Sequence, residues 1–124
     1  GIRVRFEYSH SGNGIGVPPE TDLALYRIAQ EALHNIHKHS QSKEAQIQLE
    51  VSEKHICMVI RDEGVGFESK KYLRGSSERL GLKGMIERAE SVGARLTICS
   101  EPGRGTVVVF ELSRDRTDST GSQE

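Results

Sequence analysis

The sequence predicts a two-layer α/β sandwich of the α+β kind, a mixed and mostly antiparallel sheet covered by helices on one face. Three observations carry this. Short runs alternate strictly between apolar and polar side chains, the period of strands with one side against a core. Two longer stretches repeat their apolar residues at helical spacing instead. The strand runs also lack the continuous apolar stretches of a sheet buried on both faces, which places the helices on one side. The order strand, helix, hairpin, helix, hairpin then closes a single core, and 124 residues are too few for two.

The first strand is read over Arg3 to Tyr8, with Val4, Phe6 and Tyr8 on one side and Arg3, Arg5 and Glu7 on the other, so it is expected to be half-buried. Ser9 to Pro19 is rich in Ser, Gly, Asn and Pro and reads as a loop. Glu20-Thr21-Asp22 then supplies acidic and capping residues for a helix start. The helix is expected to reach about Ser40, with Leu25, Ala29, Ala32 and Ile36 forming its apolar stripe.

Ala45, Ile47, Leu49 and Val51 alternate with Gln46, Gln48 and Glu50, and after a turn near Glu53-Lys54 a second strand runs from Ile56 to Asp62. These two form a hairpin. A second helix carries Leu82, Met85, Ile86, Ala89 and Val92 on one face, with Gly93 as its C-terminal cap. Arg95 to Ser100 and Thr106 to Leu112 are β-branched and aliphatic and are joined by the turn Glu101-Pro102-Gly103-Arg104-Gly105. From Ser113 to Glu124 the chain is polar with no apolar anchor, so residues 1–112 read as the domain and 113–124 as a disordered tail.

Composition narrows the function. Lys plus Arg number 17 against 18 Asp plus Glu, a net charge of −1, so no basic field holds a nucleic acid backbone. Cys57 and Cys99 sit singly in strand-like runs, which suggests neither a disulfide framework nor a zinc site and fits a reducing compartment. No apolar run is long enough to span a bilayer and no leader pattern opens the sequence. Glycine is over-used, 13 residues, and much of it clusters in three places where chemistry is to be sought.

On the first helix Glu31, Asn35 and Lys38 form a polar strip beside the apolar stripe. It reads either as a solvated face or as the rim of a crevice. His34, His37 and His39 point in scattered directions around the helix without accompanying ligands, which disfavours zinc, and only His39 falls at the crevice edge. Asp62-Glu63-Gly64-Val65-Gly66 places a carboxylate in phase with Ile56, Met58 and Ile60, aimed at the helix layer. A buried carboxylate needs hydrogen-bond donors, and an exocyclic amine such as that of adenine is one; a plain strand-ending turn is the alternative. Gly81-Leu82-Lys83-Gly84-Met85 opens the second helix, where free amides favour an anion, or where glycine merely permits close packing. No GxxxxGK[ST] loop and no GxGxxG after a strand is present, which sets aside P-loop and dinucleotide folds.

In this order the motifs resemble the ATP-binding catalytic domain of sensor histidine kinases, in the wider family of gyrase, Hsp90 and MutL ATPases with the Bergerat ATP-binding fold. Tyr26 to Asn35 with Lys38-His39 resembles the N box, Asp62 to Gly66 the first glycine box, Gly81 to Met85 the second, and Gly103-Arg104-Gly105-Thr106 the terminal GT motif. The wording of Gly81 to Arg88 is similar to the NarL-partner subfamily. The likeness covers about Ile2 to Leu112. It implies that Asp62 binds the adenine amino group with Thr106 in support through water, and that Gly64 and Gly66 shape the base pocket. It also implies that Asn35 holds Mg2+, that Glu31 polarises the metal shell or the attacking group, and that Lys38 and His39 face the phosphates. Gly81, Leu82, Gly84 and Met85 belong to the same ATP site, Gly81 to Gly84 anchoring the end of a lid that runs from Glu68 to Leu80 and carries Lys70, Lys71, Arg74 and Arg79.

The implied activity is that of a protein-histidine kinase. Mg-ATP bound here serves autophosphorylation of a histidine on a dimerisation domain, and a response regulator then receives the phosphoryl group. Helices bearing that histidine are not in this sequence, so the chain reads as one domain of a longer, homodimeric, cytoplasmic or membrane-anchored parent and is expected to be monomeric and inactive alone. One glycine of the longer GxGL form of the second box is replaced, since Arg79-Leu80 precede Gly81. Competing readings are a gyrase- or Hsp90-like ATPase, an anti-sigma serine kinase, and a nucleotide-binding docking module without turnover.

Overall fold

Alternating side chains line up five strands in one sheet. The computed structural model describes residues 2–12, 16–40, 42–64 and 81–114. Its strands are β1 (Arg3–His10), β2 (Glu44–Val51), β3 (His55–Asp62), β4 (Arg95–Glu101) and β5 (Gly105–Ser113). They are ordered β1-β2-β3-β5-β4, with β1 parallel to β2 and every other pair antiparallel. Helices α1 (Pro19–Asn35) and α2 (Leu82–Ser91) pack on each other, α1 meeting β3 and α2 meeting β4.

The core lies between these helices and the inward rows of the sheet. Leu25, Ile28, Ala32 and Ile36 from the α1 side and Leu82, Met85 and Ala89 from α2 are buried against Ile47, Ile56, Met58, Ile60, Val108 and Phe110. Gly93, at φ +83°, ends the α2 region as expected of a left-handed cap, its N–H bonding the Glu90 carbonyl at 3.0 Å.

Four expectations need correction. The first helix keeps α geometry only to Asn35, and Ile36–Ser40 continue as a π-helical turn. Thr21 does not cap α1: it is buried, Pro18 precedes the helix and no side chain bonds the free amides. β1 is not half-buried. It is exposed along its whole length, although Val4 and Phe6 pair with the buried Ala45 and Ile47, because α1 and α2 pack over the β3 and β4 part of the sheet. Finally, β5 runs to Ser113, and Arg114 is bonded: its guanidinium donates to the Ser52 and Gly16 carbonyls at 3.1 and 2.7 Å, and its backbone N–H to the Lys54 carbonyl at 2.7 Å. Ser113 and Arg114, expected in the tail, thus belong to the described fold, and the rest of the expected tail, residues 115–124, lies outside the described residues. No described helix is long and apolar enough to cross a membrane.

Candidate functional site

Strand register brings three polar side chains into one row. Ser100 of β4 pairs with Thr106 of β5, and Thr106 pairs with Asp62 at the end of β3. All three are buried and continue the covered face formed one step inward by Ile98, Val108 and Ile60. The sequence expectation that Asp62 is aimed at the helix layer holds.

Burying a carboxylate is costly unless donors meet it. The Gly64 N–H donates to Asp62 Oδ1 at 2.6 Å, an Asx-type turn in which the chain folds back on its own side chain, shortened by the acceptor's charge. On the neighbouring strand Gly105 is the residue that lets β5 approach. Its φ is +82°, and a Cβ there would collide with the Asp62 carbonyl oxygen and stand 3.0 Å from the Glu63 Cα. Next to it the Ser100 hydroxyl lies 2.8 Å from Thr106 Oγ1 and 3.2 Å from the Gly105 carbonyl oxygen.

An apolar cavity opens beside this row. Ile60, Ile98 and Val108 line it from the sheet, Ala32, Asn35 and Ile36 from the end of α1, and Leu82 and Met85 from the start of α2, with Thr106 at one end. Its polar atoms thus come from Asn35 and Thr106, next to the Asp62 carboxylate. In chemistry this lining matches a flat ring with a polar edge, apolar side chains on both layers and hydrogen-bonding groups at one end. The cavity itself, about 10 Å³, is only about the size that one water needs, so a ring enters only as the two layers separate.

The helix side is arranged by α1 and α2. Asn35 is buried at the last α-helical position and Glu31, one turn earlier, is half-buried. A Cβ on Gly81 would lie 2.6 Å from Glu31 Oε2 and 2.7 Å from its Cδ. Gly81, the N-cap of α2 at φ +65°, is therefore favoured by its backbone, while the Glu31 carboxyl group against it is the end of a flexible side chain that a Cβ would displace. Leu82 and Met85 are almost fully buried. Gly84 is exposed and a Cβ there would meet nothing within 4 Å, so the fold itself does not demand glycine at that position. Lys38 is exposed on the π-helical turn, and neither it nor Glu31 lines the cavity.

The sequence-expected site residues thus separate into three groups, one of which, Lys38 and Gly84, is exposed and does not line the cavity. Asp62, Gly64, Thr106, Asn35, Leu82 and Met85 are brought around or next to one cavity, with Glu31 and Gly81 in contact at its helix side. Gly66, the His39 side chain and the lid residues Lys70, Lys71, Arg74 and Arg79 lie outside the described residues. Ser100 was not among the expected site residues, although its signal was legible: it stands in phase with Leu96 and Ile98, a polar group on an apolar face.

Among the described residues no cluster of three His, Cys, Asp or Glu could hold a metal ion. Asn35 and Glu31 offer one amide oxygen and one carboxylate, hard donors but too few for a protein cage. That donor set fits Mg2+ only as an ion sharing its shell with phosphate oxygens and water.

Comparison with known proteins agrees with this geometry. Residues 20–116 match the family described as histidine kinase-, DNA gyrase B-, and HSP90-like ATPase. The chain is 31 % identical over 111 residues to the signal transduction histidine-protein kinase/phosphatase DegS of Bacillus subtilis (strain 168), covering 90 % of this chain and 29 % of that protein. It is 37 % identical over 112 residues to the oxygen sensor histidine kinase NreB of Staphylococcus carnosus (strain TM300), covering 90 % and 31 %. The chain therefore spans under a third of the length of these curated relatives. In fold it is similar to the histidine kinase domain from the Erythrobacter litoralis EL346 blue-light activated histidine kinase, with a TM-score of 0.63 at 19 % identity over 98 % of this chain and 56 % of that one.

Proposed function

Because the chain belongs to the histidine kinase-, DNA gyrase B-, and HSP90-like ATPase family, we propose that it is the ATP-binding catalytic domain of a two-component sensor histidine kinase. The observation that supports this reading is the buried Asp62 carboxylate, pinned by Gly64 and paired in register with Thr106, which lines one end of an apolar cavity. A carboxylate so placed accepts from the exocyclic amine of adenine, while Ile60, Ile98, Leu82 and Met85 cover the faces of the ring. Thr106 supports the same polar edge, and Gly64 lets backbone approach the base.

The phosphates then run along the α1 strip toward the start of α2. Asn35 presents its amide oxygen and Glu31 its carboxylate to the Mg2+ that accompanies the nucleotide, an ion that neutralises developing phosphoryl charge. Lys38 and His39 face the phosphates, and the amides opening α2 between Gly81 and Gly84 point at them, where a bare Gly84 leaves room. Phosphoryl transfer asks mainly for positioning and charge neutralisation, and these residues supply both.

The acceptor is a histidine on a dimerisation domain of the parent protein, and the phosphoryl group passes on to a response regulator. The parent is a homodimer with this domain in the cytoplasm, and the domain alone binds nucleotide without turnover.

Calorimetric titration with ATP and ADP, with and without Mg2+, tests the reading. The chain is expected to bind adenine nucleotide saturably, Asp62→Asn to abolish binding, and Asn35→Ala to remove its Mg2+ dependence. No binding at millimolar nucleotide, or undiminished binding by Asp62→Asn in a folded variant, would overturn it.

A further inference from the structure

β1 stands at the edge of the sheet, pairs with β2 over its whole length without a bulge and is exposed throughout. Pro, Lys, a bulge or shortness ordinarily keeps an edge strand from pairing with another chain, and β1 has none of them. Its backbone also faces outward in a defined pattern. The Arg3 N–H bonds the Lys43 carbonyl at 2.8 Å and the Ser11 N–H bonds the Val51 carbonyl at 2.9 Å, so the odd-numbered residues turn their backbone groups toward β2. By alternation, Val4, Phe6 and Tyr8 hold their N–H and C=O groups at the open edge. The same three residues form the uncovered apolar row, at 40, 58 and 55 % exposure.

We infer that this edge is an interaction surface for a second copy of the chain, the two β1 strands pairing antiparallel about a two-fold axis at Phe6. In that register Phe6 lies opposite Phe6 of the second copy, and Val4 opposite its Tyr8. Each of these pairs exchanges two backbone hydrogen bonds, and their side chains meet on the uncovered face. On the other face Arg5 opposes Glu7 of the second copy, and Glu7 opposes its Arg5. Aromatic, aromatic with β-branched, and opposite-charge pairs are the combinations that stabilise neighbouring strands. No described ion pair engages Arg5, and Glu7, which accepts from the Gln48 amide at 3.0 Å, keeps lone pairs for a guanidinium. A slip of two residues sets Arg5 against Arg5 or Glu7 against Glu7, and a slip of one sets outward backbone groups against inward ones, so a single register is favoured. The helices stand over the β3 and β4 part of the sheet, clear of the joined edges. Such a dimer departs from the monomer expected from the sequence. Its formation needs no nucleotide, so it stands or falls apart from the function proposed above.

The test is sedimentation of the chain at rising concentration, up to about 1 mM, the effective concentration that short tethers impose on linked domains. A reversible dimer is expected. Arg5→Glu and Glu7→Arg are each expected to weaken it about tenfold or more, because each sets like charges opposite one another on both sides of the axis. Both residues are exposed, so the fold is expected to survive, as circular dichroism checks. Mixing the two variants in equal amounts is expected to restore association as a heterodimer, in which every Glu again faces an Arg. Arg5→Glu and Glu7→Arg together in one chain are expected to restore the homodimer for the same reason. A chain that stays monomeric at the highest concentration overturns the inference. So does a dimer indifferent to either charge reversal, which would join through another surface, and so do reversed variants that fail to associate when mixed.

Discussion

β1 and β4 are the two edges of one sheet and read alike in sequence, yet they differ in what covers them. Val4, Phe6 and Tyr8 alternate on β1 as Leu96, Ile98 and Ser100 do on β4. On β4 the row lies under α2, with Leu96 and Ile98 half-buried and Ser100 buried. On β1 the more apolar row stays open, Phe6 at 58 % and Tyr8 at 55 % exposure. Alternation identifies which face of a strand looks toward the helix layer; whether a helix stands over that strand is settled by packing. The buried polar row, and with it the candidate site, lies on the covered half.

The strongest way to break the comparison is to truncate the same side chain on both halves. Phe110, fully buried and paired with Leu96 of β4, is expected to cost about 4 kcal/mol of stability as Phe110→Ala, read by urea denaturation. Gly105→Ala is next: positive φ and a collision with the Asp62 carbonyl oxygen are expected to cost about 2 kcal/mol and to weaken nucleotide binding by displacing Asp62. Phe6→Ala is expected to cost less than about 1 kcal/mol, since most of that ring is already in water. A loss at Phe6 equal to that at Phe110 would mean that β1 is covered in solution.

How much of this was legible in the sequence follows the range of the forces. The strands, both helical stripes and the inward aim of Asp62 follow from periodicity, a local property, and their positions agree with the structure to within a few residues. The exposure of β1 was not legible, because it depends on where α1 crosses the sheet. Thr21 looked like a cap, but tertiary burial claimed it while Pro18 and Pro19 opened the helix by fixing backbone angles. The π-helical turn after Asn35 has no local signature. In the site, Asp62 and the glycines were legible as types at a spacing. The link from Asp62 through Thr106 to Ser100 required the order β3-β5-β4, since those residues come from three strands whose lateral order the chain does not spell out.

Strand directions also give the domain a polarity. β1 runs parallel to β2, so Arg3 stands beside Glu44, next to the Ala45–Asp62 pair, whereas Ser113 at the close of β5 stands beside His55. β3 separates these two levels by its full length, about 24 Å. The chain therefore enters the sheet level with the Asp62 row and leaves it at the opposite rim, where Arg114 fastens it to the β2–β3 turn and to the loop before α1. A segment joined ahead of β1 therefore starts on the side of the Asp62 row, and Arg114 stands at the opposite rim, a full strand length away.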